Sequence, residues 1–484
     1  MKYIKISIVI LLVSFISIFA YKLTTNNSSN KLSLTKEQMK EMISYTIDGN
    51  STSSMPTKGS GYKVKSITCK SGSILTWDND NWLLEVEKLE SEDLCNIDFT
   101  TGTGSYTVTA VPSIAGSLDS TSKTTTENGQ VTFYTDAIID SVSGCTNEIS
   151  DGKVIVKNVT SNTTCNINVS YMKLYDKLLA DKSTRLTRTD FSTVLTTDNT
   201  NTLYTSTEDS KTVYYFAGNA TDNWVQFGGY YWRIIRTNSD GGVRLLYHGT
   251  STTAENAYIG ESAFNNSYNN IAYVSYMYGS TGSIANARTN QTNSSTIKTA
   301  IDNWYKDNLN TNYGKYLSTT AVYCNDRTYT VSGSFTYFGA NTRLETNKTP
   351  SYDCAATEDK FTADTSTGNG KLTYPIALMT ADEVSFAGGL WGTNAQTWYY
   401  YNSAKGSSTG EQWWWLLSPA TGNGSYAYVF FVVGSSYPGF LSSTYVSHTY
   451  GVRPAVSLKS CVKTSGGDGS ASAPYTIEES TSGC

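Results

Sequence analysis

Alternating apolar and polar positions mark much of the first part of the chain. In the stretch KVIVKNV, Val154 and Val156 fall on one side of an extended strand, while Ile155 and Lys157 fall on the other. Because successive side chains of a strand point to opposite faces, this pattern predicts strands with one buried face. The region from residue 41 to residue 172 is therefore expected to be built of small β-sandwich units.

These strands belong to an internal repeat. LLEVEKLESEDLCNIDF, at 83–99, aligns without a gap on KVIVKNVTSNTTCNINV, at 153–169. Upstream of each copy a second cysteine ends a similar stretch, VKSITC in the first copy and IDSVSGC in the second. Self-similarity of this kind predicts two modules of one fold, which we place at 41–103 and 104–172.

Each repeat has its own pair of cysteines. This arrangement favours disulfides Cys69–Cys95 and Cys145–Cys165, one within each module. A core of roughly 70 residues is only marginally stable, and a disulfide that closes a loop of this size contributes about 3 kcal/mol. Each bridge is therefore expected to matter for the stability of its module.

Helix signals separate the repeats from the rest of the chain and recur within it. KLYDKLLADK spaces two leucines one turn apart, and we place a domain junction beside it. SSTIKTAIDNWYKDNL has an apolar stripe formed by Ile297, Ile301, Trp304 and Tyr305. In TADEVSFAGG, Thr380 and Glu383 have the spacing of a capping box, and Gly388 ends the run. The C-terminal half is thus predicted to mix helices with strands.

Aromatic residues concentrate in the strands of this half. The stretch at 224–249, WVQFGGYYWRIIRTNSDGGVRLLYHG, predicts three strands joined by turns at Gly228-Gly229 and at 238–242. YAYVFFVV is apolar on both faces, as in a central strand, and VRPAVSL has the pattern of a final core strand. The predicted fold class is therefore mainly β with some α.

The run WWWLLSPA raises the question of whether its tryptophans contact a ligand or fill a core. Each ring buries about 150–250 Å² when it is packed inside a protein. We predict that Trp414, Trp415 and Leu417 belong to the core, and that Trp413 faces outward because neighbouring strand residues alternate faces.

Composition and charge restrict the environment and the partners. The net charge is only -5 over 484 residues, with no basic block, which argues against binding to nucleic acid. Charged residues are 16% of the chain, and neutral polar and aromatic residues are abundant. This composition is typical of extracellular β-rich proteins, so we predict a secreted or surface-exposed protein.

The N-terminus agrees with export. Lys2 and Lys5 precede an uncharged segment that ends at Tyr21, and we interpret residues 1–22 as a signal peptide or a membrane anchor. As a helix, this segment spans about 24 Å against a hydrocarbon core of about 30 Å, so cleavage and anchoring both fit. A polar linker at 23–40 follows, and the membrane is an expected partner if the segment stays uncleaved.

The remaining four cysteines are predicted to pair as Cys324–Cys354 and Cys461–Cys484. None of the eight cysteines has CxxC or Cys/His spacing, so we predict no metal and no cofactor. The segment at 461–484 is rich in Gly and Ser and is interpreted as a linker-like tail.

Four motifs of the C-terminal half occur together: GGYYWRII, TADEV, WWLLSP and GVRPAVSL. In this combination the chain resembles a family of uncharacterised secreted bacterial domains between Thr212 and Leu458. That family is similar in turn to the C-type-lectin-like fold of formylglycine-generating-enzyme relatives and of hypervariable receptor-binding proteins. The resemblance implies an α+β head domain at 173–460.

The resemblance also has implications for catalysis, for the role of the repeats and for the place of a binding surface. The reactive cysteines and the calcium-binding triplets of those relatives have no counterparts here, so the resemblance supplies no catalytic residue. The two repeats resemble bacterial-immunoglobulin-like stalk modules, which implies a spacer. In the hypervariable proteins, residues between a Trp-rich strand and the closing strand form an exposed binding surface.

The corresponding interval of this chain interleaves Tyr with Ser and Gly, the composition of antibody paratopes. The predicted ligand-binding residues are Tyr426, Tyr437, Phe440, Tyr445, His448 and Tyr450. The competing interpretation is that about half of these side chains pack beneath loops.

Catalysis has weaker support in the sequence. The chain has only two histidines, His248, which we expect at the surface or at a sheet edge, and His448. A histidine-based triad or multi-histidine metal site is thus disfavoured. The carboxylates closest to an acid/base pair are Asp302, Asp382, Glu383 and Glu411.

We predict a non-enzymatic, adhesin-like protein that binds a glycan or a surface protein. A self-associating envelope protein and a carboxylate-dependent glycan-processing enzyme are the alternatives.

Overall fold

The structure is a computed structural model that describes residues 41–79, 81–253, 257–395, 413–433, 439–480 and 483–484. The predicted signal or anchor segment, the linker at 23–40, Glu411 and Tyr437 lie outside these residues. Within the described ranges, none of the helices has both the length and the apolar character needed to span a bilayer.

The fold is mainly β with some α, as predicted, and divides into two compact units between Ser170 and Tyr171. The strands of the first unit are β1 (Ile43–Ile47), β2 (Asn50–Thr52), β3 (Tyr62–Cys69), β4 (Ile74–Asp78), β5 (Leu83–Lys88), β6 (Cys95–Thr101), β7 (Ser105–Pro112), β8 (Ser122–Thr126), β9 (Gly129–Tyr134), β10 (Ile138–Ser143), β11 (Asn147–Ser150), β12 (Lys153–Val159) and β13 (Thr163–Ser170).

The two copies of the sequence repeat share the same pattern of strand pairing. In the first copy β6 pairs in parallel with β1 and antiparallel with β3, and in the second copy β13 pairs in parallel with β7 and antiparallel with β10. A smaller sheet accompanies each of these, β4 with β5 in the first copy and β9, β11 and β12 in the second. Each copy therefore has the two sheets of the predicted sandwich.

Each copy also has its own core. Phe99 of β6 is fully buried and packs edge-on against Trp77 of β4, at 5.7 Å between ring centroids. In the second copy, Val154 and Val156 are buried on one face of β12, as their alternation predicts. The disulfide Cys69–Cys95 joins β3 to β6, and Cys145–Cys165 joins the segment between β10 and β11 to β13.

The second unit contains longer sheets and the helices. Its strands are β14 (Thr184–Thr187), β15 (Thr202–Glu208), β16 (Lys211–Tyr215), β17 (Trp224–Phe227), β18 (Tyr230–Thr237), β19 (Val243–Gly249), β20 (Glu261–Ala263), β21 (Met277–Tyr278), β22 (Asn293–Ser294), β23 (Tyr323–Cys324), β24 (Tyr329–Ser332), β25 (Phe335–Phe338), β26 (Lys360–Phe361), β27 (Ile376–Leu378), β28 (Leu390–Trp391), β29 (Trp414–Gly422), β30 (Ala427–Val432), β31 (Phe440–Tyr445), β32 (Thr449–Gly451), β33 (Pro454–Leu458), β34 (Thr464–Gly466) and β35 (Tyr475–Ile477).

The helices of this unit include the three that the sequence signals predict, beginning at residues 174, 296 and 381, and shorter ones that were not predicted. They are α1 (Leu174–Asp181), α2 (Ile284–Arg288), α3 (Thr296–Asn308), α4 (Asn310–Tyr313), α5 (Gly339–Asn341) and α6 (Ala381–Ala387), with 3-10 turns at Ile271–Val274, Gly314–Tyr316 and Thr357–Asp359 and a π-helical segment at Thr342–Asn347. The capping box at the start of α6 is present, and Gly388 takes the left-handed conformation that ends the helix.

One sheet is assembled around β18 and β19. It runs in the order β14-β15-β16-β18-β17-β35-β34, while β19 pairs with β18 and leads through β33 to β27. The three predicted strands between residues 224 and 249 are confirmed. All five residues of β33 are buried between two neighbouring strands, which confirms a core strand here, although β34 and β35 follow it in the same sheet.

The other large sheet contains the Trp-rich strand. Its order is β20-β32-β29-β30-β31-β28, and the hairpin β24–β25 joins it through β29. Trp414, Trp415 and Leu417 are buried, so the prediction that they fill the core is confirmed. Trp413 is only partly buried and stacks on Phe431 with 5.0 Å between ring centroids.

Two expectations from the sequence are wrong. The segment after Ser460 is not a linker-like tail, because β34 and β35 extend the first sheet of this unit and Tyr475 is fully buried. His248 does not lie at the surface: it is buried on β19 with its ring 4.4 Å from that of Trp224. A strand covered on both faces buries its polar positions as well.

The second unit also has two disulfides, Cys324–Cys354 and Cys461–Cys484, which are the expected pairs. Together with the bridges of the first unit, they indicate an oxidising, extracellular environment.

Candidate functional site

Five aromatic side chains form a continuous surface on the second unit. Tyr428 lies 4.5 Å from Tyr445 and 4.8 Å from Tyr426 between ring centroids. Tyr268 contacts Tyr445 at 4.9 Å on one side, and Phe335 contacts Tyr426 at 6.0 Å on the other. We call these five residues the aromatic patch.

Strand register brings the patch together. Tyr428 of β30 is directly opposite Tyr445 of β31, so the two rings share one face of the sheet. Tyr426 is held by the turn before β30, where the side chain of Asn423 accepts the backbone N–H of Tyr426 at 3.0 Å. Tyr428 therefore stands on a strand, β30, whose other residues are all buried, and this gives the patch a rigid support of the kind that a binding surface needs.

The patch is partly open to solvent. Tyr268 is 46% exposed and Phe335 is 40% exposed, while the other three rings are half-buried. Burial raises the pKa of Tyr428, and its hydrogen bond to Tyr445 raises it further. Burial likewise raises the pKa of Tyr426. Both hydroxyls thus stay neutral at physiological pH and remain able to donate and accept hydrogen bonds.

His448 connects the patch to the tryptophans beneath it. Its Nδ1 lies 2.9 Å from the Thr444 hydroxyl and 3.1 Å from the Tyr450 hydroxyl. The Tyr450 ring in turn packs 4.9 Å from Trp415 and 5.1 Å from Trp413. Tyr450 is therefore a contact between the surface aromatics and the core.

The structure brings four of the six predicted binding residues together: Tyr426, Tyr445, His448 and Tyr450. Phe440 is at the opposite end of β31 from Tyr445, about 17 Å away at the rise of a β-strand, and Tyr437 is outside the described residues. The sequence analysis missed Tyr268, Phe335 and Tyr428. The first two come from distant segments, and Tyr428 is part of a strand that is otherwise apolar.

Three of the four carboxylates considered for acid/base chemistry lie within the described residues, away from the patch, and are paired with cations. Glu383 accepts from Arg244 at 2.7 Å and from Arg236 at 3.0 Å, and Asp382 accepts from Arg343 at 2.9 Å. The space left among these side chains is about 20 Å³, enough for one water molecule. Asp302 forms an ion pair with Lys298 on the same helix. These contacts are those of structural ion pairs.

The stability of the second unit is expected to decrease in acid because of Glu208, a second carboxylate that is paired with Arg236. Burial alone would raise the pKa of Glu208, but the charge of Arg236, at 2.7 Å, dominates and holds it at about 2, below its ordinary value of 4.5. A carboxylate with a lowered folded-state pKa stabilises the fold above its unfolded pKa, and this contribution is lost as the pH falls through the folded value.

We therefore expect the stability of the second unit to fall between about pH 4.5 and about pH 2, and to fall less in Glu208→Gln. Urea unfolding of the wild type and of Glu208→Gln across this pH range, followed by tryptophan fluorescence, measures the difference in their free energies of unfolding. If the stability of the two proteins fell in parallel with pH, protonation of Glu208 would not be the cause of the loss.

Comparison with known proteins gives one family match. Residues 354–460 match a family described as a domain of unknown function (DUF6273). The matched region includes α6, the Trp-rich strand β29 and the patch residues Tyr426, Tyr428 and Tyr445. Neither the curated proteins nor the solved structures include a significant match to this chain.

Proposed function

We propose that this protein is an extracellular, non-enzymatic binding protein, adhesin-like in role, whose second unit is a C-type-lectin-like head that holds its ligand on the aromatic patch. The observation that carries the proposal is a set of contiguous, partly exposed aromatic rings, with Tyr428 and Tyr445 facing each other across β30 and β31. Tyrosine gives large contact area at a low cost in conformational entropy, and aromatic anchors dominate binding energies.

The first unit fits the role of a stalk. Its two disulfide-closed modules repeat one topology, and the segment before residue 41 has the pattern of an export signal or anchor. Display of the head at the cell surface, or its secretion, follows from this proposal.

Removal of exposed patch rings is expected to weaken binding at least about tenfold without unfolding the protein. The variant is Tyr268→Ala/Tyr445→Ala, with Tyr268→Ala alone as a milder form because this ring is nearly half exposed. Tyr134→Ala, which removes an exposed tyrosine of the first unit, is the matched control. The measurement is retention of the fluorescently labelled full chain on intact bacterial and mammalian cells and on immobilised polysaccharides. Unchanged retention of a folded double variant would refute the site.

Self-association is the second candidate function, and the hairpin β24–β25 favours it. Val331 is 63% exposed on β24, which pairs only with β25 among the described strands. An exposed apolar edge is a template for pairing with another chain. Concentration-dependent association of the full chain, lost in Val331→Asp, would favour this function over ligand binding.

A further inference from the structure

A second recess of the head borders the aromatic patch. It is an open groove of about 660 Å³, within the range of small-molecule sites, and we call it the polar groove. Its lining residues are Ser262, Asn265, Asn266, Ser267, Tyr273, Tyr278, Ser294, Thr296, Thr299, Ala300 and Asn303. All of them are uncharged, and most have a hydroxyl or an amide.

The walls of the groove are fixed by the fold. One wall is the start of α3, where the buried Ser295 caps the helix and Thr299 and Asn303, four residues apart, lie on the same face. On the opposite wall, Ser262 of β20 accepts a hydrogen bond from the Trp415 indole at 2.9 Å. The first contact is to the backbone of the helix and the second is to the backbone carbonyl of Ser262, so both walls are held in place before any ligand arrives.

Asn265 provides an observation that points to a ligand. Its backbone N–H donates to the Val446 carbonyl, and the residue is 6% exposed. Its Nδ2 has no partner at ordinary hydrogen-bond distance among the described residues, and its amide acts on the Tyr278 hydroxyl only from farther away, lowering the pKa of Tyr278 against the larger rise caused by burial. A buried amide donor with only this weak contact is incompletely satisfied, and a water or a ligand in the groove would complete it.

The lining selects the chemistry of the ligand. A charged ligand would lose hydration in the groove without gaining an opposite charge among the lining side chains. Hydroxyls and amides can both donate and accept hydrogen bonds, and the Tyr273 and Tyr278 rings, 5.8 Å apart, provide flat apolar faces. Sugars without ionised groups present this same mixture of hydroxyls and apolar C–H faces.

The groove and the patch are connected through the chain at two points. Ser267 of the groove directly precedes Tyr268 of the patch, and Val446, which accepts from Asn265, directly follows Tyr445. We infer that the polar groove is a binding subsite for an uncharged carbohydrate, which extends across the aromatic patch. This inference rests on the proposed binding function and specifies its ligand class.

The test uses the full chain and three soluble neutral polysaccharides, mannan, dextran and galactan, with polygalacturonate as the anionic probe. The variant is Thr299→Ala/Asn303→Ala, whose two residues are exposed and so remove groove contacts without opening the core. Thr311→Ala/Asn312→Ala, an exposed pair on α4 outside the groove, is the matched control. Asn265→Asp, which puts a charge into the groove, is the second variant.

We expect at least one neutral polysaccharide to bind, with about tenfold weaker binding in the groove variant and no change in the control. Binding is expected to be unaffected by about 0.5 M NaCl, because no charged contact is involved. Affinity is measured by isothermal titration calorimetry, and folding is checked by thermal unfolding.

The other outcomes are distinct. Binding only to polygalacturonate or to cell-surface proteins, lost in the patch variant but kept in the groove variant, would overturn the subsite and leave the proposed binding function standing. Binding that survives in both variants, or no binding to any probe or cell, would overturn both.

Discussion

The substitution Glu383→Gln is expected to lower the free energy of unfolding of the second unit by about 3–5 kcal/mol. Glutamine keeps the size of the side chain and its place in the capping box, so the change removes mainly a charge. Glu383 is 2% exposed and is in contact with two buried arginines, Arg236 and Arg244. In the variant, the two arginines would lose the negative charge that they share.

The electrostatics explain why this loss is large. Burial would raise the pKa of Glu383, but Arg244 and Arg236 outweigh that effect and keep the pKa below its usual range. Arg236 has a second partner in Glu208, whereas Arg244 otherwise donates to neutral oxygens of Ser457 and Val322. Arg244 is therefore the group that becomes uncompensated in the variant.

Chemical denaturation of the wild type and Glu383→Gln measures this difference. Glu479→Gln, a substitution of an exposed glutamate, is the control and should leave the midpoint unchanged. A loss below about 1 kcal/mol in Glu383→Gln would mean that water compensates the arginines and that the cluster is not a structural centre.

This cluster shows where sequence patterns stop being informative. The spacing of Thr380 and Glu383 predicted the capping box, and the structure confirms it. The arginines, however, come from β18 and β19, more than a hundred residues earlier in the chain. Periodicity indicates which residues share a face of one element, but it does not indicate which buried charges of distant elements meet.

The same limit applies to the aromatic patch. The Tyr, Ser and Gly composition identified Tyr426, in the turn before β30, and Tyr445, on the adjacent strand β31. Tyr268 and Phe335 belong to segments that reach the patch only through tertiary packing. The candidate surface was thus predictable where it is local in sequence, and its extension was not.

Composition was misleading in the C-terminal segment. Gly and Ser in SGGDGSASAP are typical of a linker, yet β34 and β35 add to the edge of a sheet. The signal was present in the short alternation of Tyr475, Thr476 and Ile477, where the first and third residues are buried and the middle one is exposed. Three residues are too few for such a pattern to outweigh composition.

Trp415→Ala is expected to cost about 3–5 kcal/mol of folding free energy, the usual range for removing a buried aromatic ring. The Trp415 side chain is fully buried and packs against Phe264 and Tyr450. The resulting cavity would lie beneath both the groove and the surface aromatics. Trp413→Ala is the control, and its expected loss is smaller because that ring is partly exposed.

Trp415→Phe distinguishes the packing of the ring in the core from the hydrogen bond that the indole N–H makes to the wall of the groove. Phenylalanine keeps most of the ring but removes the indole N–H, which leaves the Ser262 carbonyl without this donor at a cost of about 1–3 kcal/mol. We expect this variant to stay folded and to bind neutral polysaccharide more weakly, because the wall of the polar groove loses its anchor. Calorimetric titration beside urea unfolding gives both values. Full affinity in a destabilised Trp415→Phe would restrict this tryptophan to the core, whereas a joint loss would show that the core of the Trp-rich strand also positions the binding surface.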